Sequence, residues 1–176
     1  MKGYKYRYVQ NLPLDNEPGE IQARLLYSFK SPQSKQTYWV IVDKCVQDIY
    51  VIKFHLKAHR YSEYKYNVLT NLHEARTVLY TCIEIMLNEI YANNDTASIG
   101  FVGANLIGES VSNTKRFRFY RRFVLTHIKL DNVFEHFINE EKSAYILIPH
   151  KALEINPNLP DVYLDMLEDC EEYDSL

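Results

Sequence analysis

Five cationic side chains lie within eight residues in the second half of the chain. They are Lys115, Arg116, Arg118, Arg121 and Arg122. Guanidinium groups bind phosphate and carboxylate oxygens through a rigid fork of N–H donors, so this basic run could bind an anionic ligand or an acidic protein partner. A nucleic acid is also a candidate partner, because contacts to phosphates dominate such binding. The run equally fits an amphipathic helix whose aromatic residues are buried and whose cations only face solvent.

The segment just before the basic run imitates a phosphate-binding loop. Residues 103–110 read Gly-Ala-Asn-Leu-Ile-Gly-Glu-Ser, which has the spacing of the pattern G-x4-G-K-[ST]. Glu109 stands where that pattern has lysine, and a carboxylate there repels phosphates. We therefore interpret the segment as a loop with permissive glycines and not as a nucleotide site.

Other chemistry-bearing residues are scattered. Among the six histidines, His55 and His59 are four apart, but the surrounding sequence is strand-like or loop-like, where this spacing does not build a metal-binding pair. No HExxH pattern is present, and no Ser-His-Asp set can be assigned from residue order. Cys82 falls on an apolar stripe and is expected to be core. The sequence therefore predicts no metal site.

Composition predicts one globular domain. The chain has 176 residues, 47% of them hydrophobic, with no apolar run of the length that a membrane helix needs. The N-terminus has no apolar segment of a signal peptide, and the three cysteines are far apart without a CxxC pair, so we expect reduced thiols and a cytoplasmic location. No membrane partner is expected.

Charge is distributed unevenly along the chain. The formal net charge is -3, but residues 1–160 carry 20 basic and 16 acidic groups, a net +4. Seven carboxylates follow, at Asp161, Asp165, Glu168, Asp169, Glu171, Glu172 and Asp174. Residues 1–155 are therefore expected to form the domain and residues 156–176 an acidic C-terminal segment. That segment could be a solvated end, could cover the basic run, or could bind a partner.

Alternating apolar residues predict strands in the first third. Such runs cover residues 4–8, 21–29, 37–42 and 49–56, with a further candidate at residues 61–69 and a loop from Asn11 to Gly19. Short strands are also expected at residues 98–103, 133–138 and 144–148, the last two forming a hairpin.

Three- and four-residue spacing predicts two main helices. The first covers residues 72–91, with Asn71 as N-cap and Glu74 completing a capping box. The second covers residues 113–128 and contains the basic run, and a short acidic helix is expected at residues 161–170. The fold class is thus α+β, with the helices packed on a mostly antiparallel mixed sheet.

This order of elements resembles the core of the GCN5-related N-acetyltransferase (GNAT) fold, over residues 21–148. A short local motif adds to the resemblance, because Asn113 and Tyr120 have the N-x6-Y spacing common at the family's last core helix. The resemblance implies that Tyr120 would be the general acid that protonates the leaving thiolate of coenzyme A. It also implies acetyl-CoA as cofactor, with Asn71 and Asn113 as cofactor-binding positions.

The chain departs from the family at the cofactor loop. The family binds the pyrophosphate of acetyl-CoA on backbone N–H groups at a glycine-containing helix start. The corresponding residues 70–75 contain no glycine, and Asn71 and Glu74 are placed to occupy those N–H groups themselves. Val124 and Leu125 also stand where many members have Gly-Phe.

These observations predict a small bacterial-type protein that has lost acetyl-CoA binding and acts as a binding or regulatory module rather than an enzyme. One alternative is a divergent N-acyltransferase with Tyr120 as acid and Glu63 or Glu109 as base. Another is a nucleic-acid binder using helix 113–128. Acyl transfer would require a splayed pair of parallel strands near Leu69 and Phe101 with a V-shaped cleft between them, whereas a closed sheet plugged there by Tyr or Phe side chains would argue against it.

Overall fold

The computed structural model describes residues 2–14, 20–67, 73–127 and 132–173, with side chains described as far as residue 167. A seven-stranded sheet has the order β1-β2-β3-β4-β5-β7-β6. The strands are β1 (Tyr6–Leu12), β2 (Ile21–Lys30), β3 (Thr37–Cys45), β4 (Ile49–Leu56), β5 (Ser98–Val102), β6 (Phe134–Asn139) and β7 (Ala144–Pro149). The helices are α1 (Ala75–Ile85), α2 (Lys115–His127), α3 (His150–Ile155) and α4 (Leu159–Tyr173). The predicted α+β class and mostly antiparallel sheet are confirmed.

The alternating sequences of the first strands form an antiparallel meander. Tyr27 of β2 lies opposite Val40 of β3, which lies opposite Phe54 of β4. Residues that lie directly opposite each other on neighbouring strands point to the same face of the sheet. These three positions therefore share the face that α1 and α2 cover. β1 extends to Leu12, so the predicted loop begins later than Asn11.

The predicted strand at residues 61–69 is wrong for its described part. Residues 57–59 form a short 3-10 turn and turns continue to residue 67, while residues 68 and 69 lie outside the described residues. The free edge of β4 is instead paired with β5, in parallel. That pairing covers only residues 49–51 of β4; after Leu56 the chain leaves the sheet in turns, and Tyr61 is 86% exposed.

α1 carries the apolar stripe that the sequence predicts. Val78, Cys82 and Ile85 are buried against the sheet, and a π-helical turn, Met86–Tyr91, continues the stripe through Met86 and Ile90. The expected N-cap Asn71 lies outside the described residues. Glu74 itself occupies the N-cap position and makes no side-chain capping bond, so its predicted place in a capping box is wrong.

α2 begins at Lys115, two residues later than predicted. Asn113 has a positive φ of 48°, which keeps it out of the helix. Phe117 and Val124 are buried, as the aromatic face predicts, whereas Lys115, Arg118 and Arg122 are exposed. Gly103 allows the start of α2 to approach closely, because a Cβ there would lie 2.5 Å from the backbone of Phe117.

The opposite face of the sheet is covered by α4. Leu159, Tyr163 and Met166 pack with Ile49 and with residues of β7 in a second apolar cluster. The Tyr163 ring lies directly over Gly100 of β5, where a Cβ would be only 2.7 Å away. The described part of the acidic C-terminal segment therefore packs on the sheet. None of the described helices is long and apolar enough to cross a membrane.

Candidate functional site

β4 and β5 separate partway along their length. Their parallel ladder joins Ile49 to Ser98, Tyr50 to Ile99 and Val51 to Gly100. β4 then continues to Leu56 on the side of β3, while β5 continues to Val102 on the side of β7. Beyond Val51 and Gly100, β4 and β5 are therefore no longer joined by ladder hydrogen bonds.

A row of aromatic rings crosses this place on the helix side. The ring of Tyr120 from α2 lies 6.1 Å from Phe54 of β4 and 5.7 Å from Phe101 of β5. Phe101 stacks on Tyr145 of β7 at 5.0 Å, and the hydroxyl of Tyr145 is hydrogen-bonded to Nδ1 of His136. Ring centroids at these distances are in contact, so Tyr120 joins both separating strands.

Tyr120, the predicted general acid, is thus part of the packing. Burial raises the pKa of its phenol, which therefore stays protonated at neutral pH. Within the described part of the chain, its hydroxyl makes no hydrogen bond.

Asn113, the other residue of the predicted motif, has different neighbours. Its backbone N–H donates to the carbonyl of Glu140 in the turn between β6 and β7, at 2.7 Å. Its backbone carbonyl accepts a hydrogen bond from Arg118. Its side-chain Oδ1 is buried and has no hydrogen-bond partner among the described residues. Asn71, the second predicted cofactor-binding position, lies outside the described residues.

A buried carboxylate stands at the start of α1. Glu74 is only 4% exposed and accepts hydrogen bonds from the hydroxyls of Ser34 and Tyr38 at 2.8 Å and of Tyr4 at 3.0 Å, and from Ser31. Burial alone would raise the pKa of Glu74, but these hydrogen bonds outweigh it and hold the pKa below its usual value. Glu74 is therefore a fixed negative charge at this helix start.

The start of α2 is also occupied by a carboxylate of the chain. Glu109 accepts hydrogen bonds from the backbone N–H groups of Leu106 at 2.9 Å and Lys115 at 2.8 Å, and Thr114 accepts one from Phe117. The bonds from Leu106 and Lys115 lower the pKa of Glu109. The N–H groups that a phosphate would use are thus taken by Glu109, in agreement with our interpretation of residues 103–110 as a loop.

Lys115, Arg118, Arg121 and Arg122 lie on one side of α2, and Arg116 lies apart from them. Arg121 makes an ion pair of 2.5 Å with Glu140, and Arg116 donates to the carbonyl of Tyr66. A shallow hollow of about 360 Å³ lies on this face. Its lining consists of Arg118, Arg121, Arg122, Leu125 and Thr126. The helix thus buries its aromatic side and presents cations beside an exposed leucine. This arrangement is compatible both with an amphipathic helix whose cations only face solvent and with a helix that binds an anion.

A second hollow, of about 470 Å³, lies beside the Glu74 cluster and was not predicted. Its cationic lining residues are Lys5, Lys30 and Lys35. These lysines are far apart in sequence or separated by a turn, so no local sequence pattern predicts that they line one hollow.

A third polar cluster lies on the α4 side of the sheet. Asp43 of β3 is 1% exposed and binds Arg24 of β2 through two hydrogen bonds of 2.5 and 3.1 Å, while Lys53 of β4 lies 3.0 Å away. Burial alone would raise the pKa of Asp43, but these two cations lower it.

The described residues contain no group of three or more His, Cys, Asp or Glu side chains that could hold a metal ion.

Comparison of the chain with protein-family models, with curated protein sequences and with solved structures finds no significant match.

Proposed function

We propose that this chain is a binding protein on a GNAT-like scaffold, without acyl-CoA, and that its basic α2 face binds an anionic partner. The observation that carries the proposal is the position of the Tyr120 ring, in contact with both Phe54 and Phe101. Three rings fill the helix side of the place where an acyl-CoA-dependent member of this fold needs an open cleft between parallel strands.

The scaffold part of the proposal is supported by the order of elements. An antiparallel meander leads through β4 and α1 to β5, and α2 leads from β5 to the terminal hairpin of β6 and β7. β4 and β5 form the parallel pair of the sheet, and their ladder ends after Val51 and Gly100. These features support a GNAT-like scaffold, but the parallel partner of β5 is β4, whereas the sequence analysis expected a strand near Leu69.

Electrostatics at the start of α1 also favours loss of the cofactor. A diphosphate bound there would lie near the ionised carboxylate of Glu74. Two unit charges 4 Å apart repel by about 1 kcal/mol in water and by about 4 kcal/mol near a protein surface. The helix dipole contributes an attraction of about 0.3–1 kcal/mol, so repulsion at that separation would offset or exceed it.

The binding part of the proposal rests on the cations that α2 presents to solvent. Lys115, Arg118 and Arg122 are exposed, and Arg118 and Arg122 line the same hollow as the exposed Leu125. Arginine side chains beside an apolar residue are typical of surfaces that bind anionic partners, because the guanidinium fork pairs with phosphates or carboxylates.

Heparin chromatography tests the binding part. The double variant Arg118→Ala/Arg122→Ala is expected to elute at clearly lower salt than the wild type. Lys30→Ala/Lys35→Ala is the matched control, because it removes the same charge from exposed residues beside the other hollow. A wild type that is not retained at about 50 mM salt, or a larger loss in the lysine variant, would contradict binding through α2.

One observation favours the alternative, a divergent acyltransferase. Tyr120 stands where the β4–β5 ladder has ended, and burial keeps its phenol protonated, although the raised pKa also makes it a weaker acid than an unperturbed tyrosine. In that case Tyr120→Phe would keep the fold and lose turnover of acetyl-CoA with amine substrates. Glu109 does not suit the role of base, because its carboxylate is hydrogen-bonded to two backbone N–H groups and its pKa is lowered.

A further inference from the structure

The segment after β4, residues 57–66, combines exposed aromatic rings with cations, and we call it the aromatic loop. Tyr61 is 86% exposed and Tyr64 is 55% exposed. The loop also carries Lys57, Arg60 and Lys65 against one acidic residue, Glu63. Tyrosines this exposed contribute little to the core and leave ring surface open to solvent.

Cations of the aromatic loop lie over ring faces. The guanidinium of Arg60 is 4.3 Å from the centre of the Tyr61 ring, and Nζ of Lys65 is 5.3 Å from that of Tyr66. Nζ of Lys57 is 5.6 Å from the Trp39 ring of β3. These cation–π contacts order long side chains, so positive charge is held next to flat aromatic surfaces.

The aromatic loop is joined to the basic helix. Arg116 in the first turn of α2 donates a hydrogen bond to the carbonyl of Tyr66. Just beyond the loop, Nδ2 of Asn67 donates to the carbonyl of Asn105 at 2.8 Å, in the segment that leads into α2. The aromatic loop thus contacts the first turn of α2, which also carries the exposed cations Lys115 and Arg118, and these groups together are the candidate surface.

We propose that this surface binds single-stranded nucleic acid. Unpaired bases would stack on Tyr61 and Tyr64, and phosphates would bind the cations of the loop and of α2, the combination used by proteins that bind single strands with little sequence preference. An acidic peptide would pair with the cations but leave both exposed rings unused. The proposal rests on the proposed binding role of the α2 face and adds the aromatic loop and the partner class to it.

Fluorescence anisotropy with a labelled 20-nucleotide oligo-dT, at about 50 mM salt, tests the proposal. The wild type is expected to bind, and Tyr61→Ala/Tyr64→Ala to bind roughly ten-fold or more weakly, because stacking of each base is worth about 1–3 kcal/mol. Tyr8→Ala is the matched control, since Tyr8 is 50% exposed on the edge strand β1 and lies outside the loop. Arg118→Ala/Arg122→Ala is expected to flatten the dependence of affinity on salt.

Other outcomes overturn the proposal. These are no binding of oligo-dT by the wild type, equal losses in the Tyr8 and loop variants, or equally tight binding of a duplex of the same length with no effect of the tyrosines. Competition by poly-glutamate with unchanged affinity of the tyrosine variants would point to an acidic protein partner instead. Retention on heparin without any of the expected oligo-dT behaviour would contradict this inference alone and leave the proposed function standing.

Discussion

The ring of Tyr120 lies 6.1 Å from the ring of Phe54, so a side chain of α2 is packed against the part of β4 that has left its ladder with β5. The contact joins the basic helix to the sheet at the place where an acyl-CoA site would need open space. It makes Tyr120 a packing residue, and the proposed loss of acyl-CoA follows from that role.

Replacement of Tyr120 separates packing from acid catalysis. Tyr120→Ala is expected to lower the free energy of unfolding by about 2–3 kcal/mol, somewhat less than for a fully buried ring. Tyr120→Phe is expected to change it by less than about 1 kcal/mol, because the hydroxyl makes no hydrogen bond within the described residues. Urea denaturation measures both, with Tyr8→Ala as the control for an exposed ring. Wild-type stability of Tyr120→Ala would contradict the packing role.

Glu74 is expected to make stability depend on acid pH. Its folded pKa lies below the value near 4.3 of an unfolded chain, so its stabilising effect is complete above that value and is lost as pH falls through the folded pKa. Glu74→Gln is expected to be about 2 kcal/mol less stable than the wild type at pH 7, since charged hydrogen bonds are lost. The difference should shrink below about pH 4.3. Urea melts from pH 3 to 7 measure it, and a constant difference across that range contradicts the assignment.

Asp43 is expected to contribute more to the free energy of unfolding than an exposed carboxylate that also has a cationic partner. Asp43→Asn leaves Arg24 and Lys53 without their shared counter-charge and should cost about 3 kcal/mol of unfolding free energy. Asp95 is the matched control, because it is exposed and lies 2.5 Å from Lys151, so Asp95→Asn should cost less than about 1 kcal/mol. Equal effects of the two changes would contradict the account.

Substitutions at Gly100 and Tyr163 are expected to have non-additive effects on the free energy of unfolding. Gly100→Ala would place a Cβ 2.7 Å from the Tyr163 ring, and such overpacking costs about 1–3 kcal/mol. In a Tyr163→Leu background the same change should cost clearly less, because the ring is gone. A double-mutant cycle from urea melts measures the coupling, and additive effects would show that α4 does not pack on β5 as described.

Much of the fold could be predicted from local sequence patterns. The alternation in residues 21–29 and the three- and four-residue spacing of Val78, Cys82 and Ile85 each reflect one buried face, so β2 and α1 were found. A strand was wrongly predicted at residues 61–67, because the aromatic residues of this segment are typical of strands. In the structure the chain leaves the sheet in turns after Leu56, and no local sequence pattern indicates this.

The candidate site was less predictable because its contacts join distant segments. The hydroxyls that bind Glu74 come from Tyr4, Ser31, Ser34 and Tyr38, and no local spacing relates them to it. Glu109 was predicted to disfavour phosphate at residues 103–110 from its charge alone, because that prediction needs no knowledge of distant contacts. The partners of Tyr120 in β4 and β5 became visible only when the sheet was assembled.

Calorimetric titration of the pure, folded protein with acetyl-CoA tests the central claim most directly. The same titration of an active acetyltransferase in the same buffer shows that the ligand is competent. The account predicts no heat of binding at millimolar acetyl-CoA, because Tyr120 fills the place between β4 and β5 and Glu74 repels the diphosphate. Binding with a micromolar dissociation constant would contradict it.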